Sequence, residues 1–267
     1  MALSHSPSIV TQGLIVYLDP MNSRSYPGSG TAWYNVLGGT LFANITGGPT
    51  FGNAIPYSTW ASGYNPSAGF IFNGINQWMD LGIIPEINNA TELTIDIWYG
   101  HYISTGAAYD TMISNGGNSA GIGGWRLRWG PTSTTPLELT LRDGSGEVDL
   151  AFPNAVNSIN QFDIATSGTS YRWNNAIVRL WDSGSTVGCD GMINGNALRT
   201  TISTNRTGIT SANALMIARS PTGSTGTGNS IYGDYQRSIS VIKIYNRRLS
   251  PEEMLQNYDA LKGRFRR

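Results

Sequence analysis

The chain has 267 residues, 40% of them hydrophobic and only 13% charged, with 33 glycines, 8 tryptophans and 13 tyrosines. That is ample material for a core, and it excludes wholesale disorder. Its 17 basic residues balance 17 acidic ones, so no global field draws it to nucleic acid or to an anionic membrane, and the single cysteine, Cys189, excludes an intrachain disulfide.

Residues 1–12 lack the basic start and apolar run of a secretory signal and form an expected N-terminal arm ahead of one domain over 13–262. No apolar stretch approaches the ~20 residues that cross a bilayer, so no membrane insertion is expected. Short runs rich in Ile, Val, Thr, Trp and Tyr follow at 14–19, 69–72, 93–99, 125–129, 137–142, 176–181, 215–219 and 239–245. Gly, Pro, Asn and Ser bound each of them, which is the pattern of strands in an all-β sandwich or barrel. In Trp125-Arg126-Leu127-Arg128-Trp129 the alternation is strict. The two tryptophans and Leu127 share one face, both arginines take the other, and a half-buried strand is predicted. Asn194-Gly195 suits a tight hairpin, because both residues tolerate the positive φ it demands. The Gly/Ser/Thr/Asn-rich stretches 115–124 and 221–230 are expected surface loops.

One segment, 250–261, carries helix signals. Ser250 can cap it, Pro251 occupies the first helical position, and Glu253 can complete a capping box. Met254, Leu255, Tyr258 and Leu261 form its apolar stripe, Gly263 is placed to end it, and 263–267 follows as a basic tail.

Four ordered blocks then resemble a known family. They are Gly13-Leu14-Ile15-Val16-Tyr17-Leu18-Asp19-Pro20, Phe70-Ile71-Phe72-Asn73-Gly74 with Trp78-Met79-Asp80-Leu81, Leu93-Thr94-Ile95-Asp96-Ile97-Trp98, and Ile244-Tyr245-Asn246-Arg247-Arg248-Leu249-Ser250-Pro251-Glu252-Glu253. Together they are similar to the concanavalin A-like, laminin-G-type jelly rolls found in bacteriophage virion and tail proteins. The resemblance implies a two-sheet antiparallel jelly-roll sandwich of six or seven strands per sheet, with the first and last strands adjacent. Members include lectins, glycosidases and virion decorations, so the fold leaves activity to be argued from sites.

Those sites favour binding over catalysis. Jelly-roll glycosidases of the laminarinase type carry E-x-D-x-(x)-E on one strand, whereas Glu147-Val148-Asp149 is followed by Ala151 and Phe152 where the second glutamate belongs. His5 and His101 neighbour no nucleophile motif, and Cys189 has no second thiol or histidine near it, so it is expected to be a buried small hydrophobe. No organic cofactor is expected. For calcium, which lectin jelly rolls hold through loop carboxylates, the candidates are Asp80, Asp110, Asp182, Asp190 and Asp234, without a D-x-D-x-D-G loop. Tyr57, Trp60 and Tyr64, with Tyr232 and Tyr235, lie in expected loops with the aromatic and amide composition of a glycan or subunit contact. Arg247, Arg248, Lys262, Arg264, Arg266 and Arg267 form either a solvated tail or an electrostatic dock for an acidic neighbouring subunit.

The resulting expectation is a non-enzymatic phage virion structural protein, a capsid decoration or a tail or fibre component, made in the host cytoplasm. Its partners would be further copies of itself as a homotrimer, other virion proteins and a host-surface glycan. The alternative is a carbohydrate-binding lectin or adhesin, and behind it an atypical glycoside hydrolase.

Overall fold

The computed structural model describes residues 8–52, 69–101, 110–116, 123–129, 137–143, 146–152, 172–203, 209–219 and 237–265. In chain order β1 (Leu14–Leu18), β2 (Ala32–Tyr34), β3 (Phe42–Thr46), β4 (Thr50–Phe51), β5 (Phe70–Phe72) and β6 (Trp78–Asp80) precede a single helical turn, α1 (Pro85–Asn88). Next come β7 (Glu92–His101), β8 (Asp110–Ser114), β9 (Gly124–Trp129), β10 (Leu137–Asp143) and β11 (Gly146–Ala151). The chain continues through β12 (Arg172–Asp182), β13 (Val187–Ile193), β14 (Asn196–Ser203), β15 (Met216–Ile217) and β16 (Arg237–Tyr245), and closes on α2 (Pro251–Phe265).

The strands form two antiparallel sheets of eight, one or two more per sheet than expected. The first runs β14-β13-β12-β7-β16-β5-β4, with β1 also paired to β16; the second runs β11-β10-β9-β8-β15-β6-β3-β2. First and last strands are adjacent, with Leu14 opposite Tyr245 and Leu18 opposite Ile242. The fold is therefore an all-β, two-sheet antiparallel sandwich with a C-terminal helix. Alternation explains which side chains fill it. Ile95, Ile97 and Tyr99 of β7 meet Trp125, Leu127, Leu139 and Leu141 of the second sheet in one cluster between the layers. Cys189 is buried in that cluster, as expected of a small hydrophobe, and burial raises its thiol pKa far above the ordinary value. Asn194 and Gly195, at φ +50° and +87°, make the tight turn between β13 and β14.

The outer face of the first sheet is covered too. Thr94, Asp96 and Trp98 of β7 point away from the core yet are buried. Above them lies α2, whose capping box is formed in full: Glu253 N–H donates to Ser250 Oγ at 3.2 Å, and Ser250 N–H donates to Glu253 Oε2 at 2.8 Å. The helix does not stop at Gly263. It continues to Phe265, whose ring stacks on Trp98 at 4.1 Å and lies 5.2 Å from Trp173. A glycine inside a helix costs about 1 kcal/mol, whereas burying a phenylalanine contributes about 1.5–3 kcal/mol, so the aromatic contact wins. Leu255, expected in the apolar stripe, is exposed, and Asn257 is buried in its place. The reason is a set of polar contacts. Asn257 accepts from Val10 N–H at 2.9 Å and donates to the Tyr245 hydroxyl at 2.9 Å. Val10 is thereby tied to α2 and, through its carbonyl and the Tyr245 hydroxyl, to β16.

Candidate functional site

The outer face of the second sheet is built differently. Registers across six strand pairs set Asn44, Asp80, Met216, Ser114, Arg126, Thr140 and Asp149 in one cross-sheet row. Each belongs to a strand whose alternate residues, such as Ala43, Met79, Leu127 and Leu139, point into the core. Beside this row Arg128 bridges two carboxylates, with Nε donating to Glu138 at 3.0 Å and Nη2 meeting Asp149 at 2.7 Å. Thr140 Oγ1 donates to the other Asp149 oxygen at 2.9 Å.

Aromatic groups stand on the same face. Tyr34 and Phe42 pair at 5.8 Å near the β2 edge, and Tyr34 is 47% exposed. Trp78 on β6 is partly exposed, with the Arg219 guanidinium 4.1 Å from its ring centroid. Apolar ring faces beside fixed donors and acceptors make a surface suited to a pyranose, whose face is apolar and whose rim is polar. The surface is less suited to acid–base catalysis. Glu138 and Asp149 share one guanidinium, and Asp149 also accepts from Thr140, so both carboxylates are already engaged by fixed donors.

The strand 125–129 departs from its expected half-burial. Arg126 and Arg128 face away from the core but are only 6% and 5% exposed. Arg128 is fastened between carboxylates from β10 and β11. Glu147-Val148-Asp149 falls within β11, and Asp149 is ion-paired with Arg128 on the polar face.

The basic residues near the C-terminus are held within the chain. Arg247 forms two hydrogen bonds with Glu253, at 2.8 and 2.6 Å, and donates to the Gln12 carbonyl at 3.0 Å. The bond from Arg247, more than any other cause, holds the Glu253 carboxyl below its ordinary pKa. Arg248 stacks over Trp181 at 4.0 Å and lies 3.6 Å from Asp190. Lys262 meets Asp259 at 2.6 Å, and Arg264 donates to both oxygens of the buried Asp19. Beside Asp19, Tyr17 has its phenol pushed up to about 12, chiefly by burial and then by the Asp19 charge. Arg247, Arg248 and Arg264 thus fasten α2 and its approach to the sandwich, while the Lys262 pair lies within the helix. Arg266 and Arg267 lie outside the described residues, as do Tyr57, Trp60, Tyr64, Tyr232 and Tyr235.

Of the calcium candidates, Asp190 receives two hydrogen bonds from Arg179, at 2.6 and 2.7 Å. Asp80 and Asp182 accept the backbone N–H groups of Gly82 and Gly184. Among the described residues no three His, Cys, Asp or Glu side chains converge as a metal site. Asp234 lies outside the described residues.

The residues that sequence reasoning missed are Tyr34, Phe42, Trp78, Glu138 and Arg219. One available signal was the Arg126/Arg128 alternation, which already placed two cations on one face and called for acidic partners on neighbouring strands.

No protein-family profile matches the sequence, and no curated protein matches it. Solved structures do resemble its fold. The botulinum neurotoxin serotype D binding domain superposes with a TM-score of 0.62 at 13% identity, over 92% of this chain and 51% of that one. The binding domain of botulinum neurotoxin DC, in complex with SialylT, gives 0.63 at 15% identity over 93% and 52%. The same DC domain in complex with rat synaptotagmin II gives 0.61 at 14% identity over 93% and 52%. This chain spans about half the length of those binding domains, and what it shares with them is the two-sheet, jelly-roll-like sandwich.

Proposed function

We propose that this chain is a non-enzymatic binding module that contacts carbohydrate through the outer face of its second sheet. The observation that carries the reading is the composition of that face. Tyr34, Phe42 and Trp78 offer apolar platforms on either side of a largely polar row, and Glu138 on β10 and Asp149 on β11 are engaged by Arg128. The likeness to binding domains, one of them solved with SialylT, supports a sugar-contacting role. The setting we propose is a phage particle, on which copies of the chain would act together as a decoration or as part of a tail or fibre. Support for that setting is the resemblance of the opening and closing blocks to phage jelly rolls. Many copies would turn weak single contacts into useful avidity.

Glycan-array binding of the purified full chain tests the proposal, followed by calorimetry with the best ligand. Trp78→Ala and the pair Tyr34→Ala with Phe42→Ala are each expected to weaken binding about tenfold or more. Incubation with β-glucan or galactan is expected to release no reducing sugar. A chain that binds no glycan, or one whose binding survives all three substitutions, overturns the assignment of this face.

A further inference from the structure

Under α2, on the first sheet, three polar side chains from three adjacent strands converge in a site closed to water. Lys243 of β16 stands directly opposite Asp96 of β7, and its Nζ lies 2.7 Å from Asp96 Oδ2. The other oxygen, Asp96 Oδ1, accepts a hydrogen bond from Asn175 Nδ2 of β12 at 2.8 Å. Lys243, Asp96 and Asn175 are all 0% exposed. Asn175 Oδ1 has no hydrogen-bond partner among the described residues, and Lys243 Nζ has no further acceptor there. Trp98 and Tyr245 lie on the same face, Tyr17 stands opposite Lys243, and α2 closes over them.

As a purely electrostatic arrangement this is expensive. A fully buried ion pair is repaid only when its remaining donors and acceptors are satisfied, and here an amide oxygen and ammonium protons are not. As a set of reactants it is complete: an amine, an amide carbonyl carbon and a carboxyl group touching both. A dry site makes lysine a nucleophile once its proton is removed, and the carboxylate that removes it is already in contact.

We propose that Lys243 and Asn175 form an intramolecular isopeptide bond, with Asp96 as the catalytic acid–base residue. The Lys243 ammonium gives one proton to Asp96, which leaves a neutral amine and a carboxylic acid. Nζ attacks Asn175 Cγ, forming the new N–C bond and a tetrahedral centre. Asp96 gives its proton to Nδ2 and takes one from the attacking Nζ. The Cγ–Nδ2 bond then breaks and ammonia departs, as ammonium when it carries away the last proton from Asp96. No electrons are exchanged and no co-reactant is needed. Fixed geometry supplies the rate, since all three groups are held in place by strand pairing. The bond ties β16 to β12 across β7 and so locks the strand that leads into α2. In a chain that cannot form an intrachain disulfide, it is a covalent brace of another kind.

Intact-mass spectrometry and peptide mapping of the purified full chain test this. The expected result is a chain lighter than its sequence by one ammonia, with a protease-resistant branched peptide joining Lys243 to Asn175. Lys243→Arg keeps the positive charge and Asp96→Asn keeps the shape; both chains are expected to have the full mass, as is Asn175→Ala. The wild-type measurement decides the matter even where a variant fails to fold. Separate, unlinked peptides containing Lys243 and Asn175 overturn the proposal. So does a chain lighter by one water with Lys243 joined to Asp96, or a Lys243→Arg chain that still loses ammonia.

Discussion

The outer faces of the two sheets solve the same problem in opposite ways. On the first sheet α2 covers Trp98, Trp173 and Val241 with Tyr258, Leu261 and Phe265, and the charges beneath are sealed in. On the second sheet the described residues show no covering helix; the face is polar, with Arg128, Glu138 and Asp149 joined across strands and Tyr34 and Phe42 exposed. A face closed by the chain's own end serves stability. Among the described residues the polar face carries no such cover, and it is the face on which we propose the carbohydrate contact.

The sharpest way to break this contrast is to uncover the first sheet. Phe265→Ala removes a fully buried ring stacked on Trp98 and is expected to cost about 3–5 kcal/mol, the range of large aromatic truncations in cores. Urea unfolding followed by tryptophan fluorescence measures it. A loss under about 1 kcal/mol would mean that the end of α2 is not part of the fold's cooperative unit. The matching experiment on the second sheet is Arg128→Ala. It strands the buried Glu138, while Asp149, 39% exposed at its side chain, recovers water, so the expected cost is smaller, about 2–3 kcal/mol. Adding Glu138→Gln should recover part of that loss. A negligible cost for Arg128→Ala would show that the ion pairs are solvent-screened and that the face is open along its whole width.

Gly263→Ala sharpens the comparison from the other side. Gly263 is exposed within α2 and nothing lies within 4 Å of a Cβ built there. The substitution is expected to stabilise the protein by about 1 kcal/mol, because alanine loses less backbone freedom in a helix. A destabilised variant would show that the last turn needs the conformational freedom of glycine.

How much of this was legible depended on how local each signal was. The alternation of Leu93, Ile95 and Ile97, and the spacing of Ser250, Pro251 and Glu253, lie within single elements and predicted β7 and the start of α2. The short strands β2, β3, β4 and β8 escaped notice, since two to five residues give too few periods of alternation to stand out from a Gly- and Thr-rich background. The end of α2 escaped for another reason. Gly263 is a local stop signal, and what overrides it is Trp98, far away in the chain and brought near only by the fold. The polar face was the least legible part. That Arg128 meets both Glu138 and Asp149 follows from the registers of β9, β10 and β11, and register is a property of pairs of strands rather than of either sequence alone. The aromatic stretches containing Tyr57 and Tyr232 carried a composition signal, and they lie outside the described residues.

The smallest effect expected is a pH dependence at the start of α2, and its sign follows from Glu253. Arg247 holds the Glu253 carboxyl below its ordinary value, with the Ser250 backbone N–H adding to the effect. A carboxyl whose folded-state pKa is depressed binds its proton more readily in the unfolded chain. Its contribution to stability is therefore complete above the unfolded value of about 4.3 and is lost as pH falls through the folded value. The capping box should weaken in that acid window and not between neutrality and pH 5. Many other carboxylates also titrate there, so the wild-type profile alone cannot isolate the effect, but the difference between wild type and Glu253→Gln can. Glutamine keeps a side chain able to accept from the Ser250 N–H while removing the charge that Arg247 binds. The urea midpoints of the two proteins are expected to differ at pH 6, with wild type the more stable, and to converge as pH falls below about 4. No gap at any pH would mean that Glu253 acts by hydrogen bonding alone, which glutamine preserves, and that the anchoring of α2 rests on its aromatic contacts with Trp98.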